Sequence, residues 1–499
     1  MIQRTQDKKE NGMAKFLVGK MGLVFVLMIF GLVGCGGGSS SSPQNDSTQE
    51  TPYEDKEGGD NGDMIEEEDP INDPGTADDS PIVKDLTVYD EHRVSFDTFL
   101  GSFGGPFVGL SESGDAFAVW VTSDLDILGD GEWSSKLHTK TGDISTKTWA
   151  AEQSLPLPKV GSVRMDMGGN GDAVIALSDD QGVSVFHYTL EGGLEAPMLL
   201  RNADSTAVVG LDVNDRGDAI LVWHELNTNK LVSRLYSKDR MSWGSETVMN
   251  VAANGDIFAS QGHVKINLND AGQALFVDSA IQSGKSREAL LVRRYDGTRW
   301  SEIGDVEASA FPYADADSVS GYLDDQGRIV VGMGRRAPGE VYISAGTIAG
   351  GLSEASLAFY QYSNQGLFQL DARWTGAKQI TASFVGRESG TRHYVSSSND
   401  SGATWKVIGY FNGTYGNDSA KTSNKGNTIY IQDGSQCESA KRFGAPLVAL
   451  NKDLSVTRAC VINRMTSVDV AVNDSGEGVV MGRHDAIDSL IFHFFKSNY

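Results

Sequence analysis

Between Lys84 and Tyr499 apolar and polar residues alternate in short runs, the period of half-buried strands, and no stretch sustains the apolar spacing of a helix. One phrase returns along these runs: alternating apolar residues, a turn of Asn/Asp-x-Gly type, then a β-rich run. It reads LSESGDAFAVW at 110–120, MGGNGDAVIAL at 167–177, VNDRGDAILVW at 213–223, LNDAGQALFV at 268–277, LDDQGRIVVG at 323–332 and VNDSGEGVVMG at 472–482. Two weaker copies, RWTGAKQITASF at 373–384 and SNKGNTIYI at 423–431, keep the same beat. The turn glycines are then Gly114, Gly171, Gly217, Gly272, Gly327, Gly376, Gly426 and Gly476, at spacings of 57, 46, 55, 55, 49, 50 and 50 residues.

Such a period suits four short antiparallel strands per unit. Asn or Asp ahead of x-Gly favours a tight turn, because glycine accepts positive φ and the side chain caps the backbone. A second hairpin follows several copies, as in KLVSRLYSKDRMSWGSETV at 230–248 and ALLVRRYDGTRWSEIG at 289–304. The pattern therefore predicts an all-β fold, a β-propeller of seven or eight four-stranded blades, with eight preferred by the number of copies. The last copy runs into SLIFHFFKSNY with three strands, and KDLTVYDEHRVSFDTF at 84–99 is the segment that would supply its fourth and close the ring.

Ahead of this region the pattern changes twice. Arg4, Lys8, Lys9, Lys15 and Lys20 outweigh Asp7 and Glu10, and Met21–Gly34 then runs for 14 residues without a charge. That is short of the roughly 20 residues a membrane-spanning helix needs, so a cleaved signal at 1–34 fits better than an anchor helix. Leu32-Val33-Gly34-Cys35 resembles the lipobox of bacterial lipoproteins, in which the cysteine becomes the lipid-bearing first residue of the mature chain. The resemblance implies lipidation at Cys35 and, because Gly36 is not the aspartate tied to inner-membrane retention, an outer-membrane address. Residues 35–83 begin with Gly and Ser and continue with runs of Asp and Glu; between Gly36 and Ser80 there are 14 acidic residues against Lys56. Such a segment has too little apolar surface to bury and reads as an extended tether.

Charge narrows the partners. The 499 residues carry 42 basic and 67 acidic side chains, a net of −25, which opposes binding to a nucleic acid. Length alone would suggest about three domains, but the repeats make 84–499 a single propeller domain. Hydrophobic residues make up 39% of the chain, enough for a large core.

Candidate chemistry is sparse. Ser398-Asn399-Asp400-Ser401-Gly402-Ala403-Thr404-Trp405 fits S-x-D-x-G-x-T-W and resembles the Asp box of sialidases and other BNR-repeat propellers. In that family Ser398, Asp400, Gly402, Thr404 and Trp405 would be structural, fixing a hairpin. Trp149, Trp243 and Trp300 sit in outer hairpins as eroded relatives. The arginine-introducing motif of sialidases is absent, so no catalytic residue is assigned, and an enzyme is the weaker expectation.

Arg216-Gly217-Asp218 spells an adhesion tripeptide but falls on the repeated turn, which accounts for it. The eight histidines show no metal-ligand spacing and the acidic turns lack the regular oxygen ladder of a calcium loop, so neither metal nor cofactor is expected. Cys437 and Cys460 are an even remainder once Cys35 is lipidated; a disulfide between them and two free thiols are both open. The long segments Ser123–Lys147 and Arg335–Ser356 read as insertions on the scaffold, where binding loops often lie. The expectation is a lipid-anchored envelope protein whose propeller meets a glycan or an envelope protein without catalysis. The alternatives are a sialidase-like exo-glycosidase and an envelope-assembly scaffold.

Overall fold

The computed structural model describes residues 86–89, 92–95, 105–125, 133–158, 160–202, 205–251, 257–258, 264–281, 288–302, 316–335, 339–361, 367–387, 391–413, 419–422, 428–431, 436–437, 442–443, 445–450, 456–461, 465–484 and 489–497. All belong to one compact unit, Asp69–Tyr499. Residues 1–83, where the sequence predicts a signal and a tether, lie outside the described residues, and Cys35 with them.

Every described element is a strand, and the fold is an all-β propeller. Among the described residues, eight antiparallel sheets of four or five strands follow one another, with a two-stranded ribbon, Gln436–Cys437 and Arg442–Phe443, beside the seventh. The first sheet is built from Phe107–Leu110, Asp115–Leu125 and Trp133–Asp143, with an outermost strand split into Thr148–Trp149 and Gln153–Leu157. The third repeats the plan with Thr206–Val213, Ala219–Glu225, Lys230–Ser237, Ser242–Trp243 and Thr247–Val251. The eighth consists of Met465–Val472, Glu477–His484 and Ser489–Ser497, and its fourth place is taken by Leu86–Val88 and His92–Ser95 from the other end of the chain. The segment 84–99 thus supplies the missing strand. Each innermost strand touches the innermost strand of the next sheet, and Met465–Val472 touches Phe107–Leu110, so the ring closes.

Local chemistry explains the beat. At six repeats the residue three before the glycine donates its N–H to the carbonyl one past the glycine, as Asn214 does to Asp218 at 2.9 Å, and the glycine N–H returns to that first carbonyl. The opening side chain caps the far end: Asn214 Oδ1 accepts from Asp218 N–H at 2.9 Å, and Asn269, Asp324 and Asn473 act alike. Gly217 has φ of 85°, and a Cβ there would collide with the Asp172 carboxylate, so the turn requires glycine.

Gly376 departs from the expectation. Its φ is not positive; Thr375 donates to Gln379, which puts Gly376 second in the turn and Lys378 where the others have glycine. Gly426 lies outside the described residues.

The core is distributed rather than central, because each sheet buries both faces against its neighbours. One cluster joins Phe117, Val119 and Leu137 of the first sheet to Ile175, Leu177 and Phe186 of the second. Another joins Ala118 and Trp120 of the first to Met481, Phe492 and Phe494 of the eighth, across the place where the two ends of the chain meet.

Candidate functional site

Three of the polar regions among the described residues bear on a site, and their bonding separates them. Around the axis, inner-strand carboxylates stitch one sheet to the next. Asp166 accepts the Val213 N–H at 2.7 Å, Asp212 accepts Leu268 N–H at 2.6 Å, and Asp469 accepts Val108 N–H across the closure at 2.9 Å. An inner strand has an open edge toward the axis, and these acceptors satisfy its amides. Arg373 donates to Asp371 at 3.0 Å and lies 5.1 Å from the centre of the Tyr322 ring. Burial opposes its charge, but Asp371, Tyr322 and Asp212 together hold the guanidinium above its ordinary value. These contacts are internal to the framework and tie neighbouring inner strands together.

The second region is the outer hairpin of the sixth sheet, where the Asp-box residues converge. Asp400 accepts from Thr404 N–H at 2.9 Å and from the Thr404 hydroxyl at 2.6 Å, while the Ser398 hydroxyl donates to it at 2.7 Å. Gly402 N–H donates to Ser398 Oγ at 2.8 Å, and Trp405 Nε1 reaches Ser356 of the fifth sheet at 2.8 Å. Trp243 to His187 at 3.0 Å and Trp300 to Ser233 at 2.8 Å repeat this reach to the preceding sheet. These residues fasten blades and leave no site. The Thr404 and Ser398 bonds lower the Asp400 carboxyl to about 2.

A depressed carboxyl stabilises the fold above its unfolded value, near 3.8, and that contribution is lost as pH falls toward 2. Asp400→Ala is therefore expected to unfold more readily than wild type at neutral pH and to converge with it as pH approaches 2, which urea titrations along a pH series will read. A constant gap across that range would contradict the assignment.

The third region is the seam between the first and eighth sheets. The second and third strands of the first sheet are 11 residues each, against 7 and 8 for their equivalents in the third. What reads as an insertion from Ser123 is largely this lengthened hairpin, whose tip, 126–132, lies outside the described residues; Arg335–Ser356 is likewise mostly strand. Strand alternation sends Trp120 and Thr122, with His138 and Lys140 from the partner strand, to the face toward the eighth sheet.

There Thr122 Oγ1 lies 2.8 Å from His138 Nε2, and His138 Nδ1 lies 2.7 Å from Glu152 Oε1. An ionised carboxylate only accepts, so His138 donates from Nδ1 to Glu152, and its Nε2 shares a hydrogen bond with the Thr122 hydroxyl. The imidazole stacks on Trp120 at 5.4 Å with an interplanar angle of 6°. A line of rings continues to Phe492, 6.1 Å from Trp120, to Trp149, 4.7 Å from Phe492, and to His92, 6.4 Å from Trp149.

The order hydroxyl, imidazole, carboxylate matches an activated nucleophile. Thr122 and His138, however, are only 7% and 9% exposed, and the evident effect of the relay is to hold Glu152 in place. Lys140 is 7% exposed beside it. Burial lowers its ammonium, with Glu152 opposing, and burial followed by the Lys140 charge lowers His92.

No family model matches the chain, and no curated protein matches it. Among solved structures it is similar to a lectin from Burkholderia pseudomallei, at 12% identity over 71% of this chain and 98% of that one, with a TM-score of 0.46. It is also similar to the WD40 domain of SCAP from fission yeast, at 8% identity over 82% and 98% with a TM-score of 0.45. An α-L-arabinofuranosidase from Fusarium graminearum gives 10% identity over 58% and 92%, with a TM-score of 0.35.

The remaining sequence candidates are dispersed. Arg216 and Asp218 pair at 3.0 Å on their turn, as a local clamp rather than an adhesive loop. The backbones of Cys437 and Cys460 lie in the ribbon and in the last strand of the seventh sheet, but their side chains lie outside the described ones, as does any bond between them. Among the described residues no group of three or more His, Cys, Asp or Glu could hold a metal. The seam was accessible to sequence reading only as a length anomaly, since His138, Lys140 and Glu152 form no motif.

Proposed function

We propose that this is a lipid-anchored protein of the bacterial cell envelope, held at the outer membrane through Cys35, whose eight-bladed propeller is a non-catalytic binding or scaffold module. The seam between the first and eighth sheets is its binding site. The observation that carries this reading is the departure from the repeat: the first sheet's central hairpin is lengthened to strands of 11 residues, and its face toward the eighth sheet brings Trp120, Thr122, His138 and Lys140 together. Rigid scaffolds commonly place recognition at such departures from a repeat.

The partner expected is a glycan or another envelope component. The Asp box favours a BNR-type, sialidase-like ancestry, and its bonding supports a structural use of those residues. Incubating the full chain with defined envelope glycans and with a fluorogenic sialoside panel separates the readings. Saturable binding without turnover supports the module, while turnover by the folded protein would replace it with the exo-glycosidase. Protease shaving of intact against permeabilised cells then assigns the face: release from intact cells means a surface partner, and protection means a periplasmic one.

A further inference from the structure

We propose that the contact between the second and third sheets is an acid-labile clasp, in which His187 of the second sheet holds Trp243 of the third only while its imidazole is neutral. The bonding decides the protonation state. Trp243 Nε1 lies 3.0 Å from His187 Nε2, and an indole N–H only donates, so Nε2 is the acceptor and carries no proton. A proton added there sets two donors against each other, and the bond is lost. The two matching reaches to a preceding sheet end on hydroxyls, Trp300 on Ser233 and Trp405 on Ser356, which do not titrate in this range. Of these three fastenings, acid therefore addresses one.

The surroundings keep the imidazole neutral. His187 is 8% exposed, with the Tyr236 ring at 4.2 Å and the Trp243 ring at 5.8 Å. The charged groups around it come from both sheets. Asp172 stands just ahead of Ala173–Asp179 and Glu195 just past Gly193–Leu194, while Lys238 follows Lys230–Ser237 of the third sheet and pairs with Asp172 at 2.7 Å. The Tyr236 phenol is raised by burial and stays uncharged. Burial, aided by Lys238, outweighs Glu195 and Asp172 and lowers the imidazole from its ordinary 6.5. A group that binds its proton less readily when folded stabilises above its unfolded value and loses that contribution as pH falls below it. Mild acid is thus directed at the outer hairpin of the third sheet, where Ser242–Trp243 pairs with Tyr236–Ser237, and loosens its hold on the second.

Hydrogen–deuterium exchange of the full chain in detergent, at about pH 7.5 and about pH 5.5 with intrinsic rates factored out, tests the clasp. Over that interval the wild type is expected to lose about three- to tenfold of its protection at 187–195 and 236–247, tenfold being the limit for one site that titrates at 6.5 once released. Peptides at 295–302, whose Trp300 is held by Ser233, are expected to change by less than about twofold. His187→Gln, whose amide oxygen accepts the indole N–H without titrating, is expected to stay flat. Trp243→Phe is expected to start with low protection and to lose little more in acid, because the bond is already gone.

Equal wild-type protection at both pH values, an equal fall at 295–302, or a full fall in His187→Gln overturns the clasp. Should the glutamine variant fail to fold, a full fall in Trp243→Phe overturns it in the same way.

Discussion

Phe492→Ala is expected to lower the free energy of unfolding by about 3–5 kcal/mol, the range for deleting a fully buried phenyl ring. Phe492 is 0% exposed and sits where the chain closes on itself. It pairs with His92 across the strand contributed by the N-terminal segment, and its ring meets Trp149 at 4.7 Å and Trp120 at 6.1 Å in the first sheet. A cavity here loosens the eighth sheet from the first and from its own fourth strand together, so little neighbouring structure can collapse to fill it. Val248→Ala, half exposed on the outer strand of the third sheet, serves as the control and is expected to change stability by no more than about 0.5 kcal/mol. Urea unfolding of the two variants beside wild type measures the difference. A loss below about 1 kcal/mol for Phe492→Ala would mean that this seam does not hold the ring.

The second large effect concerns location. Cys35→Ser is expected to move the protein from the membrane fraction to the soluble one almost completely, with the propeller still folded. One acyl chain binds membranes only marginally, and stable anchoring takes more than one, which is what lipoprotein processing at a lipobox cysteine would supply. Fractionation of cells and the mass of the N-terminal peptide read the outcome. A serine variant that stays with the membrane would show that something other than Cys35 anchors the chain.

The parts of this fold that are legible in the sequence are those whose causes are local. Asn214 and Gly217 specify their turn within four residues, and the same is true of Asn269 with Gly272 and Asn473 with Gly476. Closure by 84–99 could be read from a count of strands, since SLIFHFFKSNY leaves its sheet one short. The Asp box is legible for the same reason: all five of its residues act within one hairpin, apart from the Trp405 bond to Ser356.

Gly376 misleads because a glycine two positions out of place still keeps the beat while the turn around it, from Thr375 to Gln379, has another geometry. The seam was hidden for a different reason. His138 meets Thr122 only through the pairing register of the long hairpin, Glu152 arrives from the link between the two parts of the outermost strand, and His92 comes from the far end of the chain. Composition and spacing contain no trace of that meeting. The stitching at the axis was hidden as well, because Asp212 meets the Leu268 amide and Asp469 the Val108 amide from repeats far apart in sequence, which come together only once the ring is closed.

Hydrogen–deuterium exchange of the full chain, footprinted with and without soluble glycan fragments from the envelope, asks directly whether the seam binds. Slower exchange is expected in peptides covering 86–95 and 133–152, with those from the inner strands unchanged. Protection confined to the axis or to the repeated turns, or no protection anywhere with fragments in large excess, would contradict a binding module whose site is the seam between the first and eighth sheets.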